Sequence, residues 1–371
     1  MLFVDARLNM TRIDTDAARS ILERAIANGV FPAAAVEVGG SGNILWRDAF
    51  GKLTFDAGAR PTTVDTPFDL ASLTKPIATT TVAMGQVAAG HVGLDERVED
   101  IFSEWRGADR KTVTVRDLLE HSSGLAARLI DLPPDGRREF EHEICTMRLD
   151  YIPRTQSIYS DLGFILLGFL LEDRTRRSLA VQFKELIVQL QQQPGIEADA
   201  IGEITFLLPL DERRRAAPTL PMHDDSRRGR PLVGEVHDNY AAALGGIAGH
   251  AGLFGTVSAV GAFARLILRA ARGDDAIAVP LAADLVRLMT AKSSIPASSR
   301  ALGWDTMLPT SSCGTRMSPA AFGHVGFTGT SLWIDPVRDR YFVLLTNRAY
   351  GGGSLDDMRT VRRAFHDALP D

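Results

Sequence analysis

The chain has 371 residues, of which 45% are hydrophobic and 23% charged, and its formal net charge at pH 7 is -5. These values are ordinary for a soluble globular protein with one large domain or two that share one chain, and the acidic balance gives no basic field to hold nucleic-acid phosphates. The two cysteines, Cys145 and Cys313, are far apart, so they indicate neither a disulfide framework nor a cysteine-based metal site.

Signals for targeting and membrane insertion are weak. The first ten residues include Asp5 and Arg7 and have no apolar core of signal-peptide length. The longest apolar run, Phe164 to Leu171, is far shorter than the ~20 residues that a membrane helix needs. The sequence therefore predicts no membrane span and a cytoplasmic location, or a periplasmic one if a leader was trimmed.

The N-terminal part predicts a helix followed by a β-hairpin. Asp14 and Asp16 are suited to cap a helix that ends at Gly29. Two strand-like runs, 34–38 and 44–50, flank a glycine-rich loop, which is the pattern of a hairpin.

A serine and a lysine three residues apart open the next predicted helix, which runs to about Gly90. Pro76 fits an early helical position, where its missing N–H costs nothing. Residues i and i+3 share one helix face, so Ser72 Oγ and the Lys75 amine can meet. A nucleophile beside a base near the positive end of a helix dipole suits acyl transfer, although such a pair is also common on ordinary surface helices.

The middle of the chain, 92–289, is mainly helical by pattern. Helices are predicted after Thr114, from near Leu162, and over Leu179–Leu190, while 191–239 is predicted as a long ordered loop. A glycine-rich turn then precedes a helix capped near Thr256 or Ser258.

The C-terminal part returns to strands, at 322–327, 331–334 and 340–345, before a final helix over 356–368. Strands at both ends with helices between predict an α+β fold, with one antiparallel sheet built from both chain ends, flanked by helices and interrupted by a large mainly helical insertion. The predicted boundaries are 1–80 and 300–371 for the sheet domain and 81–299 for the helical region, with a cleft at the junction.

Four motifs occur in order along the chain: TPFDLASLTK at 66–75, LLEHSSGL at 118–125, YSD at 159–161 and GHVGFTG at 323–329. Together they resemble the class C-like branch of the serine β-lactamase and penicillin-binding-protein superfamily, which also contains DD-peptidases and esterases. The resemblance covers roughly Ala33 to Asn347.

The resemblance implies a serine hydrolase that works through an acyl-enzyme and needs no cofactor. Ser72 would be the nucleophile, Lys75 its base or an electrostatic partner, and Tyr159 the group that exchanges a proton with the serine and the leaving group. The backbone N–H groups of Ser72 and Phe327 would form the oxyanion hole.

The chain departs from the family pattern where substrate would bind, at Asp161, His324 and Val325, with Gly326 beside them. Asp161 replaces an asparagine and can only accept hydrogen bonds when ionised, and it is also suited to cap the helix that follows. His324 replaces a lysine, so its attraction for a substrate carboxylate would fade above neutral pH. Val325 replaces a threonine and removes one donor for that carboxylate.

His237, Asp238 and His250 match no metal-ligand spacing, so no metal is expected and their roles stay open. The departures favour a DD-peptidase-like or esterase-like enzyme, with weak β-lactamase activity possible. The expected substrates are D-amino-acid peptides, esters or β-lactams. The alternative is a sensor that binds penicillin or peptidoglycan fragments with little turnover.

Overall fold

The structure, a computed structural model, describes residues 13–129, 133–195 and 197–369. The first ten residues, for which the sequence predicts no signal peptide, therefore lie outside the described residues. The helices are α1 (Asp16–Ala27), α2 (Thr81–Ala88), α3 (Val98–Ile101), α4 (Val115–Leu119), α5 (Arg137–Thr146), α6 (Asp161–Thr175), α7 (Leu179–Gln191), α8 (Ala198–Ile201), α9 (Leu210–Arg213), α10 (Asn239–Ala243), α11 (Val257–Ala271), α12 (Ala283–Thr290) and α13 (Leu355–Ala368). The strands are β1 (Ala33–Gly39), β2 (Ile44–Gly51), β3 (Phe68–Asp69), β4 (Phe254–Gly255), β5 (Asp305–Thr306), β6 (Phe322–Val325), β7 (Ser331–Asp335) and β8 (Arg340–Thr346).

Six strands form one antiparallel sheet in the order β2-β1-β8-β7-β6-β5. The N-terminal hairpin thus joins the C-terminal strands through the β1–β8 pair, in which Val36 lies opposite Leu344. This antiparallel sheet and the helices around it confirm the predicted α+β class.

Both faces of the sheet are covered by helices. One apolar cluster lies between the sheet and α1 and α13, and a larger cluster packs the other face against α11 and the central helices. β1 is buried along its whole length, as expected for a strand covered on both sides. Because the larger cluster includes residues of both the sheet and the helices, the two predicted regions share one core, and the boundaries at 80 and 300 remain a prediction.

Several predicted elements agree closely with the structure. α6 begins after its N-cap Ser160, whose Oγ accepts a hydrogen bond from the backbone of Gly163 at 3.4 Å. α4 begins with a capping box made by Thr114 and Asp117. Residues 191–239, predicted as a loop, also contain the short helices α8 and α9. No helix in the described part of the chain is long and apolar enough to cross a membrane.

Candidate active site

The segment around Ser72 is not the regular helix that the sequence predicts. A 3₁₀ turn (Ala71–Leu73) is followed by a π-helix (Lys75–Thr80), and α2 begins only at Thr81. Ala71 has a left-handed backbone with φ of 48°, which costs a non-glycine residue roughly 1–2 kcal/mol. The Asp69 carboxylate stabilises this turn because it accepts the N–H of Ala71 at 2.8 Å. The sequence signal failed here because the local spacing of serine and lysine is nearly the same in a 3₁₀ turn as in an α-helix.

Ser72, Lys75 and Tyr159 form a hydrogen-bonded triangle. Lys75 Nζ lies 3.1 Å from Ser72 Oγ and 2.5 Å from the Tyr159 hydroxyl, which in turn lies 2.7 Å from Ser72 Oγ. Lys75 is completely buried, whereas Ser72 and Tyr159 are partly exposed. The structure therefore brings together the three side chains that the motifs suggested, although they come from segments more than 80 residues apart.

The electrostatics of this triangle favour a charged lysine. Burial opposes the charge, but the Asp161 carboxylate and then Tyr159 more than offset that effect and raise the pKa of Lys75 above its ordinary value. Burial raises the pKa of Tyr159 despite the opposing effect of Lys75. At neutral pH the resting site thus holds an ammonium on Lys75 and a phenol on Tyr159.

Asp161 does not cap α6, which corrects that interpretation, because Ser160 takes the capping position. Its two carboxylate oxygens accept hydrogen bonds from Lys75 Nζ at 2.7 Å and from Arg128 at 3.1 Å. Burial works against its charge, yet Lys75 and His250 outweigh that effect and lower the pKa of Asp161. Asp161 is thus an ionised partner of Lys75, a contact that its residue type alone did not reveal.

Arg128, which sequence reasoning missed, links Asp161 to a second carboxylate. Its guanidinium donates to Asp238 at 2.8 Å and to the Asn239 side chain at 2.6 Å. Asp238 caps α10 through the N–H of Ala241. No motif marked Arg128, since its importance depends on contacts between distant segments.

Ligand-type atoms of Asp161, Asp238 and His250 lie within 4.8 Å of one another, which is the geometry of a metal cluster. However, both carboxylates are already bonded to the cations of Lys75 and Arg128. A metal ion would have to displace or oppose these positive charges, so the donor set fits an ion-pair network better than a metal centre.

His237 lies beside the nucleophile turn rather than in this network. Its backbone N–H donates to Asp69 at 2.6 Å, and its ring stacks on Phe327 with centroids 5.3 Å apart. Burial is the main cause that lowers the pKa of His237 to about 4, so the ring is neutral at physiological pH. His237 therefore supports the turn that holds Ser72 and the wall that holds Phe327.

The segment after β6 packs directly on the nucleophile turn. Thr328 Oγ1 donates to the Asp69 carbonyl at 2.8 Å, and Thr330 Oγ1 donates to the Leu70 carbonyl at 3.0 Å. A Cβ at Gly326 would lie 2.7 Å from the Leu70 oxygen, so the close approach of these two segments requires glycine, and its contact with substrate stays a prediction. The carbonyl of Phe327 accepts two hydrogen bonds from Arg348, at 2.6 and 3.1 Å, which fixes the orientation of that peptide.

A cavity of about 510 Å³ opens above Ser72. Apolar side chains, Met222, Val325, Phe327 and Leu355, form part of its wall, and Phe327 and Leu355 are each about half exposed. Arg300 also lines the cavity, with its guanidinium carbon 5.2 Å from the centre of the Tyr159 ring. The cavity therefore combines an apolar wall with charged side chains of both signs, since Asp161, Asp238 and Asp305 also line it.

His324 does not provide the positive charge that its position suggested. Its side chain is buried, and Nδ1 donates to the carbonyl of Val325 at 2.9 Å, while Nε2 has no hydrogen-bond partner among the described residues. Burial, together with the nearby charges of Arg300 and Lys75, holds the pKa of His324 well below its usual range. A buried neutral imidazole cannot attract a carboxylate as a cation, so the expected loss of this attraction above neutral pH is wrong.

This correction predicts that kcat/KM for a substrate with a free carboxylate does not fall between about pH 6 and pH 8, because His324 has no proton to lose in that range. The measurement is a pH profile on a peptide acid, with the corresponding C-terminal amide as the control. A decline of about tenfold that is confined to the acid would show that His324 is charged after all.

The fold and this site define a serine hydrolase. A family model for beta-lactamases matches residues 18–366, so the chain belongs to the beta-lactamase family. The predicted resemblance to serine β-lactamases and penicillin-binding proteins is thereby confirmed.

Several proteins illustrate the relationship. A putative D-alanyl-D-alanine carboxypeptidase of Escherichia coli (strain K12) is 29% identical over 315 residues, which cover 78% of this chain and 70% of that protein. An N-acetylmuramyl-L-alanine amidase of Bacillus subtilis (strain 168) is 29% identical over 358 residues, which cover 89% and 80% of the two chains. The solved structure of EstCE1, a hydrolase with promiscuous acyltransferase activity, shares the fold with a TM-score of 0.73 at 19% identity, over 95% of this chain and 98% of that one.

Proposed function

We propose that this protein is a DD-peptidase-like hydrolase that works through an acyl-enzyme on Ser72. The observation that supports this most directly is the triangle of Ser72, Lys75 and Tyr159 at the base of an open cavity. A serine hydroxyl that contacts Tyr159 and an ammonium has a proton acceptor once the phenol ionises, and the ammonium is a positive charge that stabilises the phenolate.

In this proposal Tyr159 first releases its proton to solvent, and Ser72 Oγ then attacks the substrate carbonyl while the serine proton passes to the Tyr159 oxygen beside the Lys75 ammonium. The backbone N–H groups of Ser72 and Phe327 stabilise the oxyanion, a role that remains a prediction. The leaving amine departs with a proton from Tyr159, and water then hydrolyses the ester on Ser72. The hydrogen bonds from Thr328 and Thr330 to the carbonyls of Asp69 and Leu70 hold the two backbone N–H groups at a fixed separation, which preorganises the site.

The substrate class is suggested by Arg300, which sequence reasoning also missed. Among the described residues its only ion-pair partner is Asp305, at 3.9 Å, the edge of the range for such pairs. A weakly neutralised guanidinium beside Tyr159 suits the carboxylate of a C-terminal D-amino acid. The name of the Escherichia coli relative, a carboxypeptidase, agrees with such a substrate.

Arg300→Ala is expected to lower kcat/KM for a peptide that ends in a D-alanine carboxylate by about 10- to 100-fold, the usual value of a charge-assisted hydrogen bond. The same peptide with a C-terminal amide should lose little. Arg116→Ala is a matched control, because in the part of the chain that the structure describes Arg116 also makes only long ion pairs, at 3.6 and 3.9 Å, and it does not line the cavity. Equal losses on acid and amide would exclude a carboxylate-binding role.

The function itself is tested by incubating the protein with a fluorescent penicillin, a p-nitrophenyl ester and a D-Ala-D-Ala peptide, while intact mass and released product are followed. A transient adduct with product release identifies a hydrolase. A stable adduct without turnover identifies the penicillin- or peptidoglycan-fragment sensor, the alternative function. No adduct and no product from any of the three would overturn the proposal.

A further inference from the structure

A partly buried network of charged and polar groups surrounds Lys75, and Arg128, Asp161 and Asp238 of this network also line the cavity. Starting from Lys75, it runs to Asp161 at 2.7 Å, from Asp161 to Arg128 at 3.1 Å, and from Arg128 to Asp238 at 2.8 Å. It continues from Asp238 to His250 Nε2 at 2.8 Å, and the backbone carbonyl of His250 accepts a hydrogen bond from Lys75 Nζ at 3.1 Å. The network is therefore closed, and we call these five residues the charge ring.

The members of the charge ring are held from several directions. Arg128 lies over the ring of Tyr240, with its guanidinium carbon 3.9 Å from the ring centre, and donates to Asn239. The Asp238 carboxylate accepts the N–H of Ala241 at the start of α10. The Asp161 backbone is fixed at the start of α6. Because each carboxylate is tied to a separate element, neither can move freely away from Arg128.

We propose that Arg128 and Asp238 are positioning residues that hold the Asp161 carboxylate against Lys75 and thereby keep Lys75 protonated during acyl transfer. The role of these residues in acyl transfer rests on the proposed function, whereas the protonation state of Lys75 can be measured in the resting protein.

Other titratable groups also face Lys75. Tyr159 lies 2.5 Å away and is protonated at neutral pH because burial raises its pKa. His121 and His324 lie on the other elements packed around the lysine, and burial is the main cause that holds the pKa of each well below its usual range, so both are neutral. Arg300 adds a positive charge that opposes protonation of Lys75. Among the described residues, Asp161 is thus the anion in direct contact with Lys75, and the rest of the charge ring keeps it there.

A lysine that stays charged assigns the proton transfer to Tyr159. In the reactive form Tyr159 has first released its proton to solvent, which leaves a phenolate beside the ammonium of Lys75. The Ser72 O–H bond then breaks as Oγ bonds to the substrate carbonyl carbon, and the serine proton moves to the phenolate oxygen of Tyr159. The same proton then leaves Tyr159 for the nitrogen of the departing amine as the C–N bond breaks. Lys75 stabilises the phenolate throughout and gives up no proton.

The test is to titrate Lys75 directly. The chain has five lysines, Lys52, Lys75, Lys111, Lys184 and Lys292, so protein labelled with ¹³C at the lysine Cε gives few signals, and Lys75→Arg assigns the one of interest. In the wild type Lys75 is expected to titrate above the other lysines. Asp161→Asn should lower its pKa most, and Asp238→Asn, in which asparagine can still cap α10, should lower it by about one unit, as removal of a nearby charge predicts.

Asp117→Asn is the matched control. Asp117 is a buried capping carboxylate that is paired with Arg154 at 2.7 Å, but it lies outside the charge ring. The Asp117→Asn substitution should leave the titration of Lys75 unchanged. A Lys75 pKa that is the same in Asp238→Asn as in the wild type would overturn the role of Asp238, and the same result in Asp161→Asn would overturn the inference as a whole.

A second measurement separates this inference from the proposed function. The rate of Ser72 acylation by a p-nitrophenyl ester is followed against pH in the same variants, and loss of the ammonium should move the alkaline decline to lower pH in Asp238→Asn but not in Asp117→Asn. If the lysine titrates as expected but no acyl adduct forms in the wild type, the proposed function fails while the positioning of Lys75 stands. If acylation occurs and its pH profile is the same in all variants, the positioning role fails alone.

Discussion

Replacement of Ser72 by alanine is expected to abolish both the penicillin adduct and ester turnover, with kcat/KM at least about 10³-fold lower, because removal of a catalytic nucleophile leaves only the binding contribution of the site. Ser72 Oγ is the atom at which Tyr159 and Lys75 converge, and Ser72 also lines the cavity. The measurements are intact mass after incubation with fluorescent penicillin and steady-state hydrolysis of a p-nitrophenyl ester.

Ser123→Ala is a suitable control for this variant. Ser123 is buried near the site, and its Oγ accepts only a long hydrogen bond, 3.5 Å, from the N–H of Leu125. The Ser123→Ala variant should be acylated at the wild-type rate. Ester hydrolysis that persists unchanged in Ser72→Ala would place the chemistry elsewhere in the protein.

The second large effect concerns the buried ion pair of Lys75 and Asp161. Lys75→Met should abolish acylation and also reduce the free energy of unfolding by about 3 kcal/mol, the low end for breaking a buried pair, because Arg128 still partners the remaining carboxylate. Asp161→Asn on that background removes the carboxylate that has lost its lysine partner. The double variant should therefore regain at least half of the lost stability while remaining inactive.

Urea unfolding of the wild type, the two single variants and the double variant closes this thermodynamic cycle, and the ester assay runs in parallel. Additive losses of stability would show that the two side chains do not interact, in contradiction to their 2.7 Å contact. Recovery of activity in the double variant would show that Lys75 is needed only for folding.

Local chemistry explains which features the sequence could predict. Local sequence patterns were enough to predict the hairpin, the C-terminal strands and the caps of α4 and α6, because these features depend on residues that are close in the sequence. The family motifs likewise pointed to Ser72, Lys75 and Tyr159, because each of them lies in a short recognisable segment.

The remaining features depend on contacts between distant segments. His324 looked like a cation because its type allows a charge, but burial decides its protonation, and burial is a property of the fold. Arg128 and Arg300 lie outside the motifs, and only their positions in the cavity reveal them. Asp161 was predicted to contact substrate, and its hydrogen bond with Lys75 could not be read from the sequence because the two residues lie 86 positions apart.

The construction of the sheet has a consequence for the order of events during protein synthesis. The N–H of Ala33 bonds to the side chain of Asn347, 314 positions later, and β1 cannot pair with β8 until that strand has been made. An isolated hairpin such as β1–β2 is at best marginally stable, and the segment that secures the nucleophile turn through Thr328 and Thr330 is also translated late. We therefore expect a ribosome-bound chain that stops before β8 to be inactive even though Ser72, Lys75 and Tyr159 have already emerged. Hydrolytic activity would then begin only when the chain is nearly complete.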